Sequence, residues 1–125
     1  MTFAPFVPLR VFSAYTMLEG AMDPKAIAKQ ARKLGFPAVA ICDRNGLYGV
    51  MEFSTACAQA GVQPIIGSLI AVKRPDRPEA VPDAFDWLAF YAQDEIGYAN
   101  LCKLVSAAHL DRPGHDEAHV TFEQL

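Results

Sequence analysis

Short apolar runs alternate along this chain with amphipathic segments that carry their own start and stop signals. That rhythm restricts the fold more than any other feature. Residues 6–12 predict a buried strand. Thr16 and Glu19 then have the spacing of a capping box, closely followed by Gly20. Asp23 is a good N-cap, and Pro24 suits a first helical position, where its missing N–H has no partner to lose. Ile27, Ala31 and Leu34 share a face, and Gly35 is placed to end that helix in the left-handed conformation. Residues 38–42 predict a second strand, and Val50, Phe53, Cys57 and Ala60 a second helix stopped by Gly61. A third strand begins at 64–66, is interrupted at Gly67 and resumes over 69–72. The stretch 73–83 holds Pro75, Pro78 and Pro82 and predicts an exposed loop. Residues 86–91 predict a further strand, and Tyr98, Leu101, Cys102, Val105 and Ala108 a third helix, before a polar tail at 111–118. Strands alternating with helices in this way favour an α/β fold, a mainly parallel sheet covered by helices. In such folds the functional loops lie at the carboxyl ends of the strands.

At 125 residues the chain fits one domain, or a piece of one, and its 52% apolar content is ample for a core. A net charge of −3 with 20% charged residues leaves no basic footprint for nucleic acid. Lys25, Lys29, Arg32 and Lys33 cluster, but opposite the apolar stripe of the first helix, where a solvated face is expected. Cys42, Cys57 and Cys102 form no CxxC pair and sit in apolar stretches, as reduced thiols of a cytoplasmic protein would. No apolar run is long enough to span a bilayer, and the N-terminus has no signal-peptide pattern, which also points to the cytoplasm.

Chemistry-bearing groups are few. Asp43 ends the second strand just before Asn45-Gly46, a strong turn signal, and capping that turn is one reading of it. Ser13, Ser54, Ser68 and Ser106 lack a nucleophile-elbow context, and no Gly-rich phosphate loop is present. His109 falls at the end of the third helix, where a donor favours the last carbonyls. His115 and His119 are four apart, a ligand spacing only on a helix, which Pro113-Gly114 oppose; surface histidines are expected.

Three stretches taken in order carry a resemblance: Phe6-Val7-Pro8-Leu9-Arg10-Val11-Phe12-Ser13 with its continuation to Ala21, Ala38–Gly49 running on to Gly67, and Gly97–Ser106. Together they resemble the PHP family (polymerase and histidinol phosphatase), in the version found at the N-terminus of bacterial DNA polymerase III alpha subunits. The resemblance implies that residues 1–125 are a single domain, the N-terminal part of a distorted (β/α)7 barrel with a metal cluster at the carboxyl ends of its strands. It also implies a much longer parent, a DNA-directed DNA polymerase with Mg2+ in its own polymerase domain. The expected partners are the rest of that chain, the proofreading exonuclease subunit and other replisome subunits, with DNA met through the parent.

Active members of the family hydrolyse phosphoesters, and this chain departs from their pattern. The family's His-x-His falls on Arg10-Val11-Phe12, its Asp-His on Asp43-Arg44, and a later Glu near Leu69. A metal ligand needs a lone pair, which neither a phenyl ring nor a protonated guanidinium offers. A degenerate site is therefore expected at Arg10, Phe12, Asp43, Arg44 and Leu69, without metal, cofactor or catalytic residue in this segment. A second reading of Asp43 pairs it with Arg10, Arg44 or both, replacing lost metal charge. Three functions compete: a structural PHP segment of a replicative polymerase, a free-standing metal-dependent phosphoesterase, and an unrelated α/β binding domain.

Overall fold

The computed structural model of the chain describes residues 3–17, 19–73, 85–112 and 117–125. In order it forms α1 (Pro24–Lys33), β1 (Ala38–Arg44), α2 (Val50–Ala60), β2 (Gln63–Lys73), β3 (Asp86–Tyr91), α3 (Glu95–Leu110) and β4 (Val120–Thr121), then a 3-10 turn at Phe122–Gln124. The local signals act as their chemistry dictates. Asp23 accepts the Ala26 amide at 2.8 Å with Pro24 behind it, and Asp94 likewise caps α3 through the Gly97 amide at 2.8 Å. Gly35 and Gly61 follow α1 and α2 at φ 75°. Leu34, predicted on the buried face of α1, is instead its half-exposed C-cap.

β2 is the central strand. β1 pairs with it in parallel from Ala38↔Gln63 to Arg44↔Leu69, and β3 lies antiparallel on its other edge from Gly67↔Tyr91 to Val72↔Asp86. β4 pairs in parallel with Val72 and Lys73, on the edge β1 has left. The mainly parallel sheet predicted from alternation thus holds for β1, β2 and β4, while β3 is the exception. β2 and β3 follow one another directly, and a parallel return would need a crossover, usually a helix. The proline-rich loop predicted between them falls, over 74–84, outside the described residues.

Two further expectations change. β2 runs unbroken through Gly67, because the Tyr91 ring fills the space beside it; a Cβ there would lie 2.6 Å from that ring. The predicted strand at 6–12 is extended chain rather than a strand element. Only the Pro8 and Val11 carbonyls bond to β1, accepting from the Ala40 and Cys42 amides at 2.9 Å. Pro5 and Pro8 have no N–H to contribute to a ladder.

All three helices cover one face of the sheet. Ile27, Ala31, Phe53 and Cys57 pack there on Val39 and Ile41, and Leu101 and Ala108 on Ile70, Val72 and Val120. Burying each large side chain of this set contributes about 1.5–3 kcal/mol. Strand alternation sends Cys42 and Arg44, Gly67 and Leu69, and Trp87, Ala89 and Tyr91 to the opposite face.

Candidate functional site

The site lies where β1 ends, and the two faces of the sheet divide it. Arg10, Phe12, Arg44 and Leu69 meet on the face away from the helices. The Arg44 guanidinium lies 5.5 Å from the Phe12 ring centroid and 4.5 Å from that of Trp87, and Arg10 lies 6.0 Å from Phe12. These are cation–π distances. Arg44 also donates from Nε to Glu19 Oε2 at 2.6 Å. Leu69, 1% exposed, is the register partner of Arg44. Arginines and aromatic rings thus form a layer over a floor of small side chains that includes Cys42, Gly67 and Ala71.

Asp43 points the other way and is 2% exposed. Its Oδ1 accepts from the Ser13 amide and the Thr16 hydroxyl, both at 2.7 Å, and its Oδ2 from the Ser13 hydroxyl at 2.6 Å. The Thr16 oxygen accepts in turn from the Arg44 amide at 3.2 Å. The expected pairing of Asp43 with Arg10 or Arg44 is therefore overturned. Consecutive strand residues face opposite sides, so the Asp43 carboxylate and the Arg44 guanidinium are separated by the backbone between them. The turn-cap reading fails as well, since the carboxylate binds Ser13 and Thr16, which lie 30 and 27 residues earlier. The Thr16–Glu19 capping box does not form: Thr16 is spent on Asp43 and Glu19 on Arg44.

Asn45 is a second junction that the sequence showed only as a turn. It adopts φ 48° and is 8% exposed. Its amide donates to Leu69 O at 2.8 Å, its Oδ1 accepts the Ala71 amide at 3.3 Å, and its Nδ2 donates to Ala118 O at 2.9 Å. One side chain thus fills the gap between β1 and β4 along the edge of β2. His109 Nε2 donates to Asn45 O at 2.7 Å, so this histidine serves a neighbouring loop rather than its own helix end. His119, expected on the surface, is 6% exposed and stacks on Phe85 at 4.7 Å. His115 lies outside the described residues.

Cys42 is fully buried beneath this layer, and burial pushes its thiol up against the lowering influence of the Tyr91 hydroxyl and Arg10. Burial, then the neighbouring Cys42, push Tyr91 up to about 12, and its hydroxyl donates to the Leu9 carbonyl. Burial alone pushes Cys57 up to about 11. As donors for a metal these residues are poorly suited. The arginines and Phe12 have no lone pair to give, and both Asp43 oxygens already accept hydrogen bonds. Among the described residues no three His, Cys, Asp or Glu gather where they could hold an ion. Ser13, Thr16, Glu19 and Trp87 complete the site, and none was expected there from sequence: Thr16 and Glu19 read as a capping box, and Ser13 only as a serine without a nucleophile-elbow context.

Residues 8–125 match the PHP domain family, and the chain belongs to that family. It is 43% identical over 111 residues to a DNA polymerase III subunit alpha of Caulobacter vibrioides, covering 85% of this chain and 9% of that protein. It is 38% identical over 136 residues to an error-prone DNA polymerase of Anaeromyxobacter sp. (strain K), covering all of this chain and 11% of that protein. The chain thus spans about a tenth of the length of these curated relatives. Among solved structures it resembles a protein assigned as a metal-dependent phosphoesterase from Bifidobacterium adolescentis, with a TM-score of 0.57 at 21% identity over 89% of this chain and 37% of that one. An amidohydrolase from Chromobacterium violaceum, solved with sulfate and no metal, gives the same TM-score of 0.57 at 16% identity over 81% of this chain and 34% of that one. These likenesses establish a mixed α/β fold of the PHP type. No helix among the described residues is long and apolar enough to cross a membrane.

Proposed function

We propose that this chain is the PHP segment of a bacterial replicative polymerase of the DNA polymerase III alpha kind, and that the segment is metal-free and structural. Its strands and helices are the first part of a distorted (β/α)7 barrel. The parent polymerase transfers nucleotides to a primer end in the cytoplasm, with Mg2+ held in its own polymerase domain. This segment supports that core and offers docking surface to the rest of the chain, to the proofreading exonuclease subunit and to other replisome subunits. DNA is met through the parent.

The observation that supports this most directly is the layer of Arg10, Phe12, Arg44 and Trp87 at the strand ends. Fixed guanidinium charge repels a dication and supplies none of its ligands, so the activation of water by a metal has no place to occur. A phosphoesterase assay of the purified chain with manganese, zinc and iron tests the reading. The expected result is no turnover above the metal alone. Metal-dependent turnover that disappears in a still-folded Asp43→Asn chain would establish the free-standing phosphoesterase instead.

A further inference from the structure

Asn-Gly is the dipeptide most prone to succinimide formation, because glycine leaves its amide nitrogen open to attack on the asparagine side chain. Here that pair occupies the junction between β1, β2 and β4, where every participating atom is engaged. Asn45 Oδ1 accepts from Ala71 at 3.3 Å and Nδ2 donates to Ala118 at 2.9 Å, which fixes the amide plane within the sheet edge. The attacking nitrogen, that of Gly46, donates to Ser68 Oγ at 3.2 Å. Both residues are buried, and the Tyr48 ring covers Gly46 so closely that a Cβ there would lie 2.0 Å from it.

We propose that Asn45-Gly46 is a latent deamidation site, held closed by the native fold and converted irreversibly once the sheet edge opens. In the open chain a base takes the Gly46 amide proton, and the nitrogen attacks Asn45 Cγ. The Cγ–Nδ2 bond breaks and ammonia leaves, giving a five-membered succinimide. Water then opens the ring at either carbonyl, leaving aspartate or isoaspartate. Neither product rebuilds the junction. Aspartate tolerates the left-handed backbone, but it places a carboxylate oxygen against the Ala118 carbonyl where an N–H had donated. Isoaspartate adds a backbone atom between Asn45 Cα and the Gly46 nitrogen and moves the Gly46 amide off Ser68 Oγ. The modification therefore removes the Asn45–Ala118 bond that supports the approach of β4 to the edge of β2, and the chain records each long-lived opening as a permanent change.

Mass spectrometry of the peptide containing residues 45 and 46 tests this, on the whole chain incubated at mildly alkaline pH with and without urea. The expected result is conversion in urea and at least about tenfold slower conversion in the native protein, reflecting a small open population. Hydrogen exchange on the product mimic Asn45→Asp supplies the second measurement, with faster exchange expected at the His119 amide, which follows Ala118 and donates to Ala108 O. Equal conversion rates in the two states would overturn the proposal, and so would an Asn45→Asp chain whose His119 amide stays as protected as before.

Discussion

Ser13 and Asp43 are joined twice, the Ser13 amide donating to Oδ1 at 2.7 Å and its hydroxyl to Oδ2 at 2.6 Å. Both residues are buried, so in the folded chain no water replaces a partner that is removed. Asp43→Ala leaves an amide and two hydroxyls without their acceptor, and a loss of about 3 kcal/mol is expected in urea unfolding. Asp43→Asn keeps the shape and is expected to lose less. A double-mutant cycle with Ser13→Ala should return a coupling of about 1 kcal/mol or more; additivity would show the pair to be incidental.

Trp87 is the only tryptophan, so emission excited selectively in tryptophan reports on the arginine layer. The Arg44 guanidinium lies 4.5 Å from its ring. Arg44→Lys is expected to change the emission and to cost about 1 kcal/mol, because an ammonium cannot stack on the ring and bond Glu19 in one plane. An unchanged spectrum in Arg44→Lys would mean that the stack is not populated in solution.

Gly20 passes so close to the Ser13 carbonyl that an added Cβ would lie 1.7 Å from its oxygen. That obstacle is backbone and cannot rotate away. Gly20→Ala is expected to destabilise by about 2 kcal/mol or more and to open the bridge between Ser13 and Met22. Thermal melting checks the first effect and hydrogen exchange at Ala14, whose amide donates to Met22 O at 2.7 Å, the second.

How much of this was legible in the sequence depended on whether each signal was local. Asp23 with Pro24, Gly35 and Gly61 act within one turn of their own helices, and each does what its residue type predicts. Positions 10, 12, 44 and 69 were foreseeable as a group from the family pattern. That Asp43 would part from them was also available from strand alternation alone, since neighbouring residues take opposite faces. Thr16, Asn45 and His119 were different. Their partners lie on distant segments: Asp43 for Thr16, Ala71 and Ala118 for Asn45, and the Phe85 ring for His119. No periodicity encodes such pairings. The antiparallel course of β3 was hidden for a related reason, as pairing direction follows from the connection rather than from the strand's own residues.

The raised titration points of Tyr91 and Cys57 set a pH dependence. Both groups are neutral when protonated, and both hold their protons longer folded than unfolded, to about 12 and about 11 against ordinary values of 10.0 and 9.0. Their contribution to stability is therefore complete below pH 9.0, falls as pH rises past 9.0 for Cys57 and past 10.0 for Tyr91, and is gone above about 12. Urea midpoints measured across that range should decline, and Cys57→Ser and Tyr91→Phe should each remove part of the slope. A thiol reagent at neutral pH should leave Cys42 and Cys57 unmodified until the chain unfolds.

Elemental analysis of the purified chain, after equilibration with manganese, zinc or iron and removal of excess ion, tests the metal-free reading most directly. The account predicts metal well below one equivalent and a melting temperature unmoved by chelator. One equivalent or more of tightly held metal, whose removal by chelator lowers the melting temperature, would contradict it.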